Sequence, residues 1–268
     1  MAKWSAEGTL KAGGKNLEYR CSGPAPDQAM TIVLLHEGLG CAALWRDFTE
    51  KLAQATGMGV VTYSRAGYGG SDPADLPRPL TYMTHEAMDV LPQVLDAVGV
   101  DRCILIGHSD GATIAAIYAG SIEDFRVRGL ALMAPHFFTE EMGLAEIAKA
   151  RDAFATGDLA ERMGKYHCDP EATFRGWNDV WLDPGFKDWN VAEVIDYLRI
   201  PTLAIQGRED QYGTLAQIAE IEDRSYAPVE TLVLDDCRHA PHVDQPQAVL
   251  DAVAEFAARL ERIEAAVV

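Results

Sequence analysis

Arg102-Cys103-Ile104-Leu105-Ile106 leads without interruption into Gly107-His108-Ser109-Asp110-Gly111, and then into Ala112-Thr113-Ile114-Ala115-Ala116-Ile117-Tyr118-Ala119. The apolar run reads as a buried strand and the small-residue stretch as a helix. A serine framed by glycines between such a strand and such a helix is the setting of a nucleophile elbow. The glycines matter because the turn is tight and side chains there would collide with the neighbouring strand and helix. Ser109 would stand at the N-terminus of the helix, whose dipole favours developing negative charge. Alone the pentapeptide also suits an ordinary turn; its flanks favour a reactive serine.

Strands and helices alternate on either side of the elbow. Thr9 to Cys21 reads as an opening hairpin around Gly13-Gly14. Thr31 to Leu35 is a buried strand running into His36-Glu37-Gly38-Leu39-Gly40, with a helix from about Leu44 to Ala55. Gly59 to Tyr63 is the next strand, and a helix from about Thr84 to Val98 leads to the elbow. Further strands are expected at Val127 to Met133, Thr202 to Gln206 and Glu230 to Leu234, then a closing helix from about Gln247 to Ile263. Such alternation predicts an α/β fold, a mostly parallel sheet with helices on both faces. It stops between Thr139 and Arg199, a helical and aromatic segment holding Tyr166, Phe174, Trp177, Trp181, Phe186 and Trp189. An inserted helical cap over the sheet's carboxyl edge explains it better than extra helices on the flank. The division is then a core of 1–138 and 200–268 with a cap of 139–199.

The 268 residues are 48% hydrophobic and 24% charged, which suits one globular domain with an insertion. A net charge of -18 argues against nucleic acid and anionic membrane surfaces as partners, since both recruit basic patches. Cys21, Cys41, Cys103, Cys168 and Cys237 form no C-x-x-C pair and fit reduced thiols. Met1 to Glu7 lacks the apolar core of an export signal, and no stretch is apolar enough to span a bilayer. The expected location is the cytoplasm. Oligomeric state is not legible.

A serine nucleophile needs a base, and the base an orienting acid. Asp210 follows the strand Thr202 to Gln206, and Asp235-Asp236-Cys237-Arg238-His239-Ala240-Pro241-His242 follows the last strand. Ligand sites of open α/β sheets lie at these carboxyl ends, so three loops converge. His239 and His242 both qualify as the base; Glu209, Asp235 and Asp236 rival Asp210 as the acid. His36 reads as structural, His108 as fixed inside the elbow, and His85, His136 and His167 as surface or packing residues. No histidine and carboxylate set has metal-ligand spacing.

With these motifs the chain resembles the α/β-hydrolase superfamily, specifically its capped esterase-like members. The order Ser109, Asp210, His239 is that family's order of nucleophile, acid and histidine. Arg238-His239-Ala240-Pro241 with Asp244 resembles its histidine loop, and Gly207 to Asp210 its acid loop. The resemblance covers the chain outside the cap, favours His239 over His242 and gives Asp210 the acid's position. It implies backbone N–H donors to an oxyanion at Gly38 and Asp110. It also implies a cofactor-free serine hydrolase that cleaves small or medium carboxylic esters through an acyl-enzyme. Carbon–carbon bond hydrolysis, thioester, lactone or amide cleavage and perhydrolysis share the same residues, and a small-molecule receptor is the non-enzymatic alternative. Glu37, Trp45, Trp177, Trp181 and Trp189 are candidate pocket residues. Relatives commonly read histidine-glycine where this chain has His36-Glu37-Gly38. A carboxylate aimed at the oxyanion hole would oppose its charge. Glu37 is therefore expected to point away, paired with Arg65 or Arg46.

Overall fold

In the computed structural model, which describes Trp4 and residues 6–267, Gly13 and Gly14 take positive φ (57° and 73°). They turn the chain between β1 (Glu7–Ala12) and β2 (Lys15–Ser22). The reading of Met1 to Glu7 falls partly on Met1, Ala2, Lys3 and Ser5, outside the described residues. The other strands are β3 (Thr31–Leu35), β4 (Gly59–Tyr63), β5 (Cys103–His108), β6 (Val127–Met133), β7 (Thr202–Gly207) and β8 (Val229–Leu234). Together they form an eight-stranded sheet ordered β1-β2-β4-β3-β5-β6-β7-β8, antiparallel only where β2 meets β1 and β4. β3, β4, β5 and β7 are buried at every residue, which is why they read as continuous apolar runs.

The order places β3 between β4 and β5. The chain moves one way from β3 to β4, then crosses back to β5. Such a reversal opens a crevice at the strands' carboxyl ends, here between the His36 loop and Ser109.

Helices cover both faces. α1 (Phe48–Thr56) and α10 (Pro246–Val267), the latter entered through the short α9 (Pro241–Asp244), pack on one side, over Ile32, Leu34, Ile104 and Ile106. On the other lie α2 (Tyr82–His85), α3 (Leu91–Val98), α4 (Asp110–Ser121) and α8 (Ala216–Arg224), the last not expected from sequence. α4 is buried from Asp110 to Tyr118, so its small residues admit a close approach all round. The helix expected from Thr84 to Val98 starts at Tyr82 and widens into a π turn at Glu86–Val90. Pro92, just beyond, has no N–H to give the preceding turn. The helix expected from Leu44 is a 3₁₀ turn, Ala42–Trp45, then α1; Arg46 breaks it at φ 51°.

Between β6 and β7 lie α5 (Glu141–Thr156), α6 (Leu159–Met163) and α7 (Pro170–Trp181), then 3₁₀ turns at Pro184–Phe186 and Ala192–Tyr197. A bridge between Phe138 and Asn190 and the Val191 N–H bond to Phe137 tie the excursion's two ends together. The chain thus returns to the core before Arg199. Ala192–Tyr197 packs on α4, where a Cβ on Gly120 would stand 2.2 Å from the Val194 oxygen. Among the described residues no helix is long and apolar enough to cross a membrane, and all five cysteines are free.

Candidate active site

Ser109 sits where β5 turns into α4, at φ 53° and ψ -119°. That strained turn forces the two glycines. A Cβ on Gly107 would lie 2.2 Å from the Gly111 oxygen, and one on Gly111 2.1 Å from the Leu35 oxygen. Holding a non-glycine residue in such a conformation costs on the order of 1–3 kcal/mol, which surrounding packing must offset.

The loops after β7 and β8 bring two side chains to this serine. Nε2 of His239 is 2.9 Å from Ser109 Oγ. Its Nδ1 is 2.9 and 2.8 Å from the two carboxylate oxygens of Asp210. Asp210 also accepts from Gln206 Nε2 (2.8 Å) and the Tyr212 N–H (2.8 Å). Burial works against its charge, but the His239 bond leads the contacts that hold its carboxyl below the ordinary range. With Asp210 accepting at Nδ1, His239 turns a bare Nε2 to the serine hydroxyl. The rivals lie elsewhere. Glu209 accepts the Cys237 N–H at 3.0 Å, exposed Asp235 pairs with Arg208, and Asp236 is an exposed turn residue at φ 53°. His242 packs on Trp45 with ring centroids 4.8 Å apart.

Gly38 and Asp110 border the same space, and the backbone N–H of neither has an acceptor among the described residues. Their loops are held from behind. His36 Nδ1–H donates to the Glu37 oxygen at 2.7 Å, while its Nε2 accepts the Arg65 N–H at 3.1 Å. Burial pushes the His36 imidazole well below its ordinary range, so it stays neutral. Asp110 is also buried; its carboxyl accepts the Tyr82 hydroxyl at 2.5 Å, and Tyr82 Oη accepts Trp181 Nε1–H at 3.0 Å. A chain of bonds thus runs from α7 to the residue after the serine.

A cavity of about 390 Å³ opens over Ser109, within the range of small-molecule sites. Trp177 and Trp181, one turn apart on α7, form part of its wall, with Leu144 and Ile147 of α5. Two expected pocket residues lie outside the lining. Trp45 is buried between Phe48 and His242 on the opposite face of the sheet, and Trp189 stacks on Phe186 behind Trp181. Glu37 does border the cavity, but its expected partner is corrected. Arg65 binds the backbone oxygens of His36 and Glu37, exposed Arg46 has no ion pair among the described residues, and the Glu37 carboxylate faces His108. Sequence reasoning also missed His136 and Tyr212. The His136 ring lies against both Trp181 and His239 (centroids 5.4 and 5.5 Å), and Tyr212 is 4.8 Å from His239. His136 follows the carboxyl end of β6, so the rule that located Asp210 and His239 would have found it too.

Fold and site define a doubly wound enzyme scaffold with a serine, a histidine and an aspartate in hydrogen-bonded line. The chain belongs to the alpha/beta hydrolase family, whose family model matches residues 32–252, and hydrolase activity is what this membership supports. It is 29% identical over 237 residues to a proline iminopeptidase of Lactobacillus delbrueckii subsp. bulgaricus, covering 83% of this chain and 72% of that protein. It is 28% identical over 289 residues to epoxide hydrolase 3 of Xenopus tropicalis, covering 92% of this chain and 76% of that protein. Among solved structures, the enol-lactonase from Burkholderia xenovorans superposes with a TM-score of 0.74 at 20% identity, over 94% of this chain and 100% of that one. That likeness is one of fold.

Proposed function

We propose that the chain is a serine hydrolase that cleaves small to medium carboxylic esters through an acyl-enzyme. The observation that carries this reading is the unbroken line Ser109 Oγ, His239 Nε2, His239 Nδ1, Asp210. His239 takes the hydroxyl proton as Ser109 attacks the acyl carbon, and Asp210 stabilises the imidazolium that forms. The N–H groups of Gly38 and Asp110 receive the oxyanion; each such donor is worth about 3 kcal/mol of barrier. His239 then protonates the departing alkoxide, and water repeats the sequence on the acyl-enzyme. None of these steps calls on a cofactor. The helical excursion after residue 138 serves as a cap whose α7 tryptophans bound the acyl group, and the cavity's size favours short acyl or aryl groups over long lipids. Five free cysteines fit a reducing cytoplasm.

A panel of p-nitrophenyl esters of graded acyl length tests catalysis and sizes the pocket together. A fluorophosphonate should label the native chain but not Ser109→Ala; labelling that persists in the variant would place the nucleophile elsewhere. The likeness to proline iminopeptidase favours one second reading, an amide, since the same residues would protonate an amine leaving group. Proline p-nitroanilide in the panel separates the two.

A further inference from the structure

Two side chains beside the serine take no part in that chemistry. His108 precedes Ser109 and Glu37 precedes Gly38. The His108 ring lies between the Glu37 loop and the His239 loop. Its Nε2 is 2.6 Å from the backbone oxygen of His239, and its Nδ1 is 3.7 Å from Oε2 of Glu37. Both ring nitrogens therefore face oxygens that accept. A neutral imidazole has one N–H and would turn a lone pair towards one of them, whereas an imidazolium has a donor for each. Among the described residues buried Nδ1 has no hydrogen bond, so at 3.7 Å what joins it to Glu37 is the attraction of charges, which only a protonated ring can supply. The carboxylate also has a seat of its own: a Cβ on Gly40 would stand 2.2 Å from Glu37 Oε2. Glycine at 40 makes the room that the departure at 37 requires.

We propose that Glu37 and protonated His108 form a second carboxylate–imidazole pair, which ties the Gly38 loop to the backbone of His239 and so positions base and oxyanion donors about Ser109. Both are positioning residues, and the role rests on the assignment of Ser109 and His239 made above. Titratable groups from four loops surround this ring; His136, from the loop after β6, is held neutral by burial, down to about 3, and adds no charge. Glu37 faces the His108 ring from the loop after β3, His239 from the loop after β8 and Asp210 from the loop after β7. His242 packs against it at 4.9 Å. His242 is held neutral by burial, down to about 3, and adds no charge. Burial opposes charge on both members of the pair. Each nevertheless moves the other the opposite way: Glu37 leads the contacts that raise His108, and His108 those that hold the Glu37 carboxyl well below the usual range. A raised imidazole holds its proton to higher pH than a free one and loses it as pH climbs through the raised value. The tie is therefore intact on the acid side of that value and released on its alkaline side.

The test titrates the histidines by nitrogen NMR in the full-length native chain, Glu37→Gln and Gly40→Ala. Profiles of kcat and KM against pH are recorded with p-nitrophenyl acetate. In the native chain His108 should carry both protons at neutral pH and release one above about 6.5, the ordinary histidine value. Glu37→Gln should lower that midpoint and move the alkaline limb of kcat to lower pH. It should also cut kcat about 10- to 100-fold while KM changes little, the signature of a displaced catalytic group. Gly40→Ala, which crowds the carboxylate out without removing it, should act in the same direction. A neutral His108 in the native chain, or variants with native kcat and native profile, overturns the proposal. Failure of the fluorophosphonate to label the native serine would instead overturn the nucleophile assignment, and the NMR titration would still decide the pair.

Discussion

Asp210 contributes at the level of single atoms, because both its oxygens reach Nδ1 of His239. Asp210→Asn keeps the shape but offers an amide that can favour the wrong tautomer, so kcat should fall about 10⁴-fold with folding intact. Glu209→Gln should leave ester turnover near native; a loss as large as that of Asp210→Asn would shift the acid to Glu209. Gly38 makes a second point at this scale. A Cβ there would stand 2.2 Å from Trp177 Nε1, so Gly38→Ala must displace either the loop or the indole. Its rate should fall about 10²-fold or more, as when one oxyanion donor is lost. Adding Trp177→Ala should restore part of that rate. A double variant no faster than Gly38→Ala alone would show that the indole is not what the methyl strikes. Such contacts were not legible in the chain, where Gly38 and Trp177 stand far apart and nothing marks them as neighbours.

Elements explain which tryptophans matter. α7 places Trp177 and Trp181 one turn apart on the face over Ser109, whereas Trp189 lies beyond the helix and packs behind Trp181. Trp177→Ala should therefore shift the preferred acyl length, and Trp189→Ala should lower Tm without shifting it. Matching acyl profiles in the two variants would contradict this division. α5 is seated on the loop that carries Tyr212, with Gly143 so close that a Cβ would lie 2.2 Å from the Tyr212 oxygen. Gly143→Ala should cost about 1–3 kcal/mol as an overpacked contact, read as a fall in Tm with a looser acyl preference. Sequence periodicity located the helices of this segment as a group. It did not show that Ala192–Tyr197 belongs with α4, because that depends on the backbone approach at Gly120.

At the scale of the molecule, burial of histidines sets the response to acid. His36 and His167 are held below the ordinary histidine range and His136 and His242 are lowered to about 3, with desolvation as the leading cause in each. Unfolding frees all four to bind protons. The unfolded state then binds more protons below about pH 6.5, so stability should fall as pH drops through that point. Each such group contributes up to about 1.4 kcal/mol per pH unit. His108 works the other way, since a raised group gives its full stabilisation below the unfolded value and loses it only on the alkaline side. Chemical denaturation at pH 7 and pH 5 should show a loss of several kcal/mol. A flat profile would mean that these rings are solvated in solution.

Local order along the chain determined a good deal by itself. Buried strands announced themselves as apolar runs, because a parallel sheet covered on both faces leaves no polar side to alternate with. Glycines at 107 and 111 marked a turn too tight for side chains, and Ser109, Asp210 and His239 were legible because each lies in the turn or loop that follows a strand. Carboxyl ends of strands in such a sheet must meet at one edge, so sequence position alone carries spatial information there. Tertiary structure alone decided the rest: that Glu37 faces His108 rather than an arginine, that Trp45 lies beneath His242, and that His136 and Tyr212 stand beside His239. Those pairings join loops distant in sequence. The partner of a side chain is set by how the whole sheet and its helices pack, and no pattern of neighbours along the chain encodes it.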